Sequence, residues 1–276
     1  MLLGCDFSSA PTARKPIVVA VGHPVQGGVA LDRLESFSSL DAWGRWLKEM
    51  PAWVGAFDFP FGLPRELVEQ LGWPLQWAAL IAHYASLERA SIRQAFSAFC
   101  AARPVGGKFA HRATDGPAGS SPSMKWVNPP VAFMLHAGVP RLVEAGATLP
   151  GLYAPSEPGA GLRVALEAYP GLLAREFIGR RSYKSDDAAR QTAERHAARS
   201  DLLHLLEVGS ARMGVRLALT PEQRRQLLAD AQGDALDAAL CLVQAGWAAA
   251  RRDSSPGPGW GLPAVMDPLE GWILTA

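Results

Sequence analysis

Residues 2–58 set short apolar runs between turn residues, and this order constrains the fold more than any other part of the chain. MLLGCDF is an apolar run ending in Asp6, and SSAPTARKP is a turn. IVVAVGHP is rich in β-branched residues and predicts a strand over 17–22. GGVALDRLESF predicts a third strand after a glycine turn. SLDAWGRWLKEM has apolar residues at 40, 43, 46, 47 and 50, a helical spacing, with Ser39 or Asp41 at the cap. AWVGAFDFP predicts the next strand, carrying Asp58 at its end. The β-β-β-α-β order predicts an α/β fold, a mixed sheet of about five strands with helices on both faces.

From about 64 to 104 the pattern is helical. Residues 104–130, PVGGKFAHRATDGPAGSSPSMKWVNPP, form a long loop, and loops of this length inside a domain are usually functional or disordered. This loop carries Lys108, His111, Arg112, Asp115 and Lys125. VAFMLHAGVPRLVEAG returns to helix, and YAPSEPGAG is rich in turn residues. LRVALEAYPG predicts a strand over 162–167 ending in Glu167, followed by a short helix and the basic link RRSYK. A charged helix follows, then TPEQRRQLLADA with a Thr cap and Pro at the first helical position. GDALDAALCLVQAGWAAARR is the last helix, and EGWILTA is expected to add an edge strand. Trp43, Trp46, Trp73, Trp77 and Trp247 fall at helical positions and read as core.

The 276 residues are 49% apolar, enough for a substantial core. A formal net charge of +1 gives no global field toward nucleic acid or membrane, so a polyanion site must be a local patch. The three cysteines are far apart, with no CxxC or Cys/His cluster, which argues against zinc and a disulfide framework. The opening residues turn polar too soon for a secretory leader, and no run reaches the roughly 18 apolar residues of a spanning helix. The expectation is a cytoplasmic protein with no membrane partner.

Three predicted strand ends therefore carry an acid: Asp6, Asp58 and Glu167. Asp234 and Asp237 lie three apart and share a helix face among small and apolar neighbours. Acids gathered at a core edge repel and lose hydration, so they need protons or cations. Hard divalent cations with oxygen ligands answer that need, and two of them about 3.5–4 Å apart can drive phosphodiester hydrolysis. Each acid has a plainer reading as well. Asp58 fits a turn, because Asp side chains bond nearby backbone N–H groups. Asp6 fits an ordinary strand end, Asp234 a helix cap after Gly233, and Glu167 an ion pair with Arg163 or Arg175.

The order of acids resembles the ribonuclease-H-like fold, particularly the RuvC-type resolvases. Those place an Asp on the first strand, an acid on the fourth and a D-x-x-D pair on the final helix. The chain also resembles the domain-of-unknown-function family 429, described as predicted nucleases of that fold. The matching pieces are GCDFSSA, GAFDFPFGLP, KFAHRATD, EAYPGL, YK and DALDAAL, in order along nearly the whole chain. The resemblance implies a single domain over 1–276, with 64–160 a mostly helical insertion capping the acidic edge. It implies Asp6, Asp58, Asp234 and Asp237 as ligands of Mg²⁺ or Mn²⁺. Glu167 is then a fifth ligand or an acid behind the ligands, and all five acids are catalytic candidates. The resolvases carry Glu where this chain has Asp58, which would bring the metal closer to the backbone or require Glu167. Resolvase-like relatives often form dimers, so a homodimer is an expectation.

A phosphodiester also needs positive charge on its non-bridging oxygens. Lys108, His111, Arg112 and Lys184 are the substrate-binding candidates, with Arg112 and Lys184 foremost. His111 is also a candidate general acid or base, and Trp126 and Tyr169 are candidates for stacking on a base. The expected function is a divalent-metal-dependent nuclease or phosphodiesterase acting on DNA or RNA. Two alternatives stand beside it. One is a non-catalytic nucleotide or nucleic-acid binding module of the same fold. The other is an ATP-using phosphotransferase of that superfamily, suggested by the Ser8–Ser9 turn, although no second phosphate loop is evident.

Overall fold

The computed structural model describes residues 1–156, 161–209, 212–254 and 256–276. Residues 157–160 of the turn-rich YAPSEPGAG stretch lie outside the described residues, as does Ser255 of the loop before the tail. The opening order is as the sequence predicts: β1 (Leu2–Asp6), β2 (Ile17–Val25), β3 (Gly28–Phe37), α1 (Leu40–Glu49) and β4 (Trp53–Phe57). Five helices follow, α2 (Arg65–Gln70), α3 (Trp77–Ser86), α4 (Arg89–Ala101), the single turn α5 (Asp115–Ala118) and α6 (Val131–Glu144). Then come β5 (Arg163–Glu167), α7 (Pro170–Ile178), α8 (Ala193–Val208), β6 (Arg216–Ala218), α9 (Pro221–Ala229) and α10 (Asp234–Ala249).

The strands form one mixed sheet in the order β5-β4-β1-β2-β3-β6. β2 runs antiparallel to β1 and β3, whereas β1, β4 and β5 are mutually parallel. The sixth strand exceeds the expected number. β6 is three residues long, too short to show a period-2 pattern, and it pairs with β3 over Gly28–Ala30. The tail does not form the expected strand. Ile273 makes a single parallel bridge to Glu167, and Leu274 N donates to Glu167 O at 2.8 Å.

Strand alternation divides the core. Leu3, Cys5, Ile17, Val19 and Val21 face a core completed by α1, α2, α3, α4 and α6. Leu2, Val18, Ala20, Val29 and Leu31 face the opposite side, against α7 to α10. The helices of 64–160 thus form one of the two layers on the sheet rather than a lid. Among the described residues of that region, those from Arg112 to Met134 reach the acidic edge.

The position of α10 depends on glycine. A Cβ on Gly4 would lie 2.0 Å from Leu242 N and 2.2 Å from Ala238 O, so only glycine lets the helix lie directly on β1. Because α10 runs back along β1, its first turn arrives at the strand end that carries Asp6.

Candidate active site

The parallel strands end side by side. Cys5 of β1 pairs with Phe57 of β4, and Phe57 pairs with Glu167 of β5. Asp58 N donates to Cys5 O at 2.9 Å, which extends the ladder and sets Asp58 next to Asp6. Asp6, Asp58 and Glu167 therefore stand at the carboxyl ends of three adjacent parallel strands, the edge where open α/β sheets bind ligands. Asp234 and Asp237 enter from the first turn of α10, whose dipole favours negative charge there. The structure brings all five predicted acids to this edge.

Their environments differ. Asp6 is buried, Asp58 is half-buried, and among the described residues neither carboxylate accepts a hydrogen bond from the protein. Burial pushes Asp6 well above the usual carboxylate range. Asp237, Asp58 and Asp234 add to that shift, and Lys184 opposes it. Asp58 is pushed up to about 7, first by burial, then by Asp237 and Glu167, again with Lys184 opposing. Asp237 is fully buried, accepting from Tyr183 Oη at 2.5 Å and from Lys184 Nζ. Asp234 Oδ1 accepts from Lys15 Nζ at 2.7 Å, and Lys15 also reaches Asp186 at 2.7 Å. Burial raises Asp234 as well, while Lys15 pulls it back.

Asp234 is not the helix cap. Asp230 performs that task, accepting from Gly233 N at 3.1 Å and Ala235 N at 2.7 Å. Gly233, at φ +82°, must be glycine for a second reason: a Cβ there would sit 2.7 Å from Lys184 Cβ. The close pass of Lys184 over the helix start carries its ammonium in among the acids. Burial works against that charge, but Asp237, Asp6 and Asp58 outweigh it and hold the lysine protonated.

Glu167 belongs to a different arrangement. It pairs neither with Arg163 nor with Arg175, which bond to backbone carbonyls and to Tyr169. Its partner is Arg112, in a two-pronged bond with Nη2–Oε1 at 2.7 Å and Nη1–Oε2 at 2.8 Å. Phe61 N also donates to Glu167 Oε2 at 3.0 Å. The remaining guanidinium N–H groups of Arg112 go to Asp115 Oδ1 and to Glu270 O. Arg112 has five such donors, and all are used. It is buried, so the expected phosphate contact is replaced by an internal clamp. Lys108 and His111 are exposed and line neither cleft at the acidic edge.

Two clefts meet over the acids. One, of about 240 Å³, is lined by Phe59, Met134, Tyr169, Ser120, Ser121 and the Arg112–Glu167 clamp, among others. The other, of about 400 Å³, holds Arg175, Arg180, Arg181 and Asp237. Asp58, Tyr169 and Lys184 line both. Trp126 instead packs near Phe109, with ring centroids 5.8 Å apart.

The donor chemistry suits a hard cation. Four carboxylates, Asp6, Asp58, Asp234 and Asp237, face two ammonium groups, Lys15 and Lys184, which leaves a negative excess when all are ionised. In this side-chain arrangement Lys184 takes the central place, and no three acids, histidines or cysteines among the described residues are grouped closely enough to hold one ion. Sequence reasoning missed Lys15 and gave Tyr183 no role. Lys15 carried no signal beyond a basic residue in the turn after Asp6, while Tyr183 stood in the YK piece. Comparisons with protein-family models, with curated proteins and with solved structures give no match.

Proposed function

We propose that the chain is a divalent-metal-dependent phosphodiesterase acting on nucleic acid, built on a ribonuclease-H-like fold. One observation carries the reading: acids from β1, β4 and the last helix converge at one sheet edge, with Asp6 and Asp58 lacking protein donors among the described residues. The antiparallel β2 between β1 and β3 and the packing of the last helix on β1 support the fold assignment. The resemblance to family 429 is consistent with it.

On this reading Asp6, Asp58, Asp234 and Asp237 would hold Mg²⁺ or Mn²⁺. When bound, the metal supplies Lewis acidity to the attacking and leaving oxygens. Lys184 neutralises Asp237 and reaches into both clefts, so it can turn from the carboxylates to a phosphate oxygen. Tyr183 fixes Asp237 by its hydroxyl. The Arg112–Glu167 clamp holds the loop and the end of β5 in register behind the acids.

The central lysine favours a second reading, a binding module of the same fold whose acids are neutralised by Lys15 and Lys184. Calorimetric titration with Mn²⁺, run beside hydrolysis assays of the parent and Asp6→Asn, separates the two. Bound metal and hydrolysis that Asp6→Asn abolishes, with the fold retained, support the enzyme. Full activity in Asp6→Asn refutes it. Absence of metal binding favours the module.

A further inference from the structure

The two clefts differ in a way that specifies the form of the substrate. The smaller one, at about 240 Å³, falls below the roughly 300–1,000 Å³ typical of drug-sized ligand pockets. Its lining combines aromatic and aliphatic side chains with Ser120, Ser121 and the buried Arg112–Glu167 pair. That suits one unpaired nucleobase with its sugar and leaves no room for a base pair. Tyr169 stands where the clefts join, half-buried, with Arg175 over its ring at 5.2 Å. Aromatic faces at such positions stack on bases without regard to sequence.

The larger cleft has the opposite character. Arg180 follows α7 and is exposed, and its guanidinium finds no acceptor among the described residues. Arg181 lines the same groove but is ion-paired with Asp201 at 2.7 Å, and in the next cleft along the surface Arg190 pairs with Asp187 and Arg195 bonds to Ser182 Oγ, with Glu194 beside them. Arg180, and Arg175 whose partners are the neutral Tyr169 Oη and Ala118 O, therefore put unneutralised positive charge on this groove beside Lys184, on a molecule whose net charge is only +1. Unneutralised cations in such a groove meet the phosphates of a single strand.

We infer that the substrate is a single strand entering by its end, with the terminal nucleoside in the small cleft and the following phosphates along Arg175 and Arg180. The inference rests on reading the acidic edge as a phosphodiester site. The linkage between the first nucleoside and the next would then lie at Asp58 and Lys184, where the clefts meet. Hydrolysis there adds water across one P–O bond and releases one mononucleotide per event.

The test measures binding of labelled oligonucleotides by fluorescence anisotropy with Ca²⁺, and product sizes with Mg²⁺ or Mn²⁺. A linear single strand is expected to bind at least about tenfold tighter than a blunt duplex or a circular strand of the same sequence. Arg180→Glu, at an exposed site that tolerates substitution, is expected to weaken binding several-fold. It should also lower the slope of log affinity against log salt by about 0.7, the contribution of one phosphate on a single strand. Products should be mononucleotides. Equal binding or cutting of circular strands, or an unchanged salt slope in Arg180→Glu, overturns the inference and leaves metal-dependent hydrolysis standing. End-dependent binding that Arg180→Glu weakens, without hydrolysis, upholds the strand path and refutes the enzymatic reading.

Discussion

The acids of Asp6, Asp58, Asp234 and Asp237 and the clamp around Arg112 are both ionic clusters set into the same sheet edge. Their charge ratios are alike. Four carboxylates face Lys15 and Lys184 in one, and Glu167 and Asp115 face Arg112 in the other. What differs is the supply of donors. Every N–H of the Arg112 guanidinium is bonded, and so are both oxygens of Glu167. Asp115 accepts from Arg112 N, from the guanidinium and from Ser120 Oγ. Among the described residues, the carboxylates of buried Asp6 and half-buried Asp58 face neighbouring acids and accept from no donor. Unfilled acceptor capacity at a buried acid, rather than the number of acids, separates a site built for a ligand from one built for the fold.

The largest effect expected from this contrast is on stability. Arg112→Ala strands Glu167 and Asp115 in the interior, and breaking one side of a buried pair costs about 3–5 kcal/mol. Asp6→Asn removes a repelling charge instead and should leave stability equal or higher. Urea denaturation of both variants checks this. Equal losses in the two would erase the distinction.

Next in size is Gly4→Ala. The new methyl would meet the backbone of α10, so the helix must shift away from β1. Overpacking of this kind costs about 1–3 kcal/mol. The shift should also separate Asp6 from Asp237 and weaken Mn²⁺ binding, while the clamp, which does not touch α10, stays intact. Calorimetry for the metal and denaturation for the fold read the two consequences separately. Unchanged Mn²⁺ affinity would show that the helix position does not set the cluster.

The pH response is a third, smaller difference. Asp58 titrates near 7 in the folded chain, above the ordinary 3.8. Folding therefore favours its protonated form. The stability this gives is complete below about 3.8 and is lost as pH rises through about 7. Asp6, Asp234 and Glu167 are raised too and act in the same direction. Stability without added metal should fall between pH 5 and 8, and Asp58→Asn should remove on the order of 1–2 kcal/mol of that fall. Mn²⁺ should restore stability at pH 8, because a ligand that binds only the folded state stabilises it. A parent protein as stable at pH 8 as at pH 5 would contradict the raised titration of Asp58.

Much of the acidic edge was legible because its parts are local. Apolar runs ending in Asp6, Asp58 and Glu167 announce strand ends, and D-x-x-D on an Ala-rich helix announces two acids against a close neighbour. Thr220 and its following Pro gave the start of α9, where the capping box with Gln223 forms. The clamp was not legible. Arg112 sits in a loop rich in Gly and Ser, and although Asp115 is three residues on, its other partners lie 55 and 158 residues away, so the sequence suggested a phosphate contact instead. Lys15 was missed for the same reason, its contact with Asp234 spanning 219 residues. The plainer reading of Asp234 as a cap fails because Asp234 is already the first residue of α10, and the left-handed turn at Gly233 lets Asp230 face the free N–H groups.

The smallest expected effect concerns Lys108 and His111, read from the sequence as substrate contacts beside Arg112. Both are exposed, and neither lines a cleft at the acids. Surface substitutions away from such features usually change stability by less than about 0.5 kcal/mol. Lys108→Ala and His111→Ala should fall within that range and leave single-strand affinity within about twofold, against the several-fold loss expected for Arg180→Glu. The comparison is internal, because all three side chains are exposed and cationic or ionisable, yet only Arg180 shares a groove with Asp58 and Asp237. If Lys108→Ala weakened binding as much as Arg180→Glu, the strand would pass over the loop instead of along α7. The path of the phosphates would then have to be redrawn around the face that carries KFAHR.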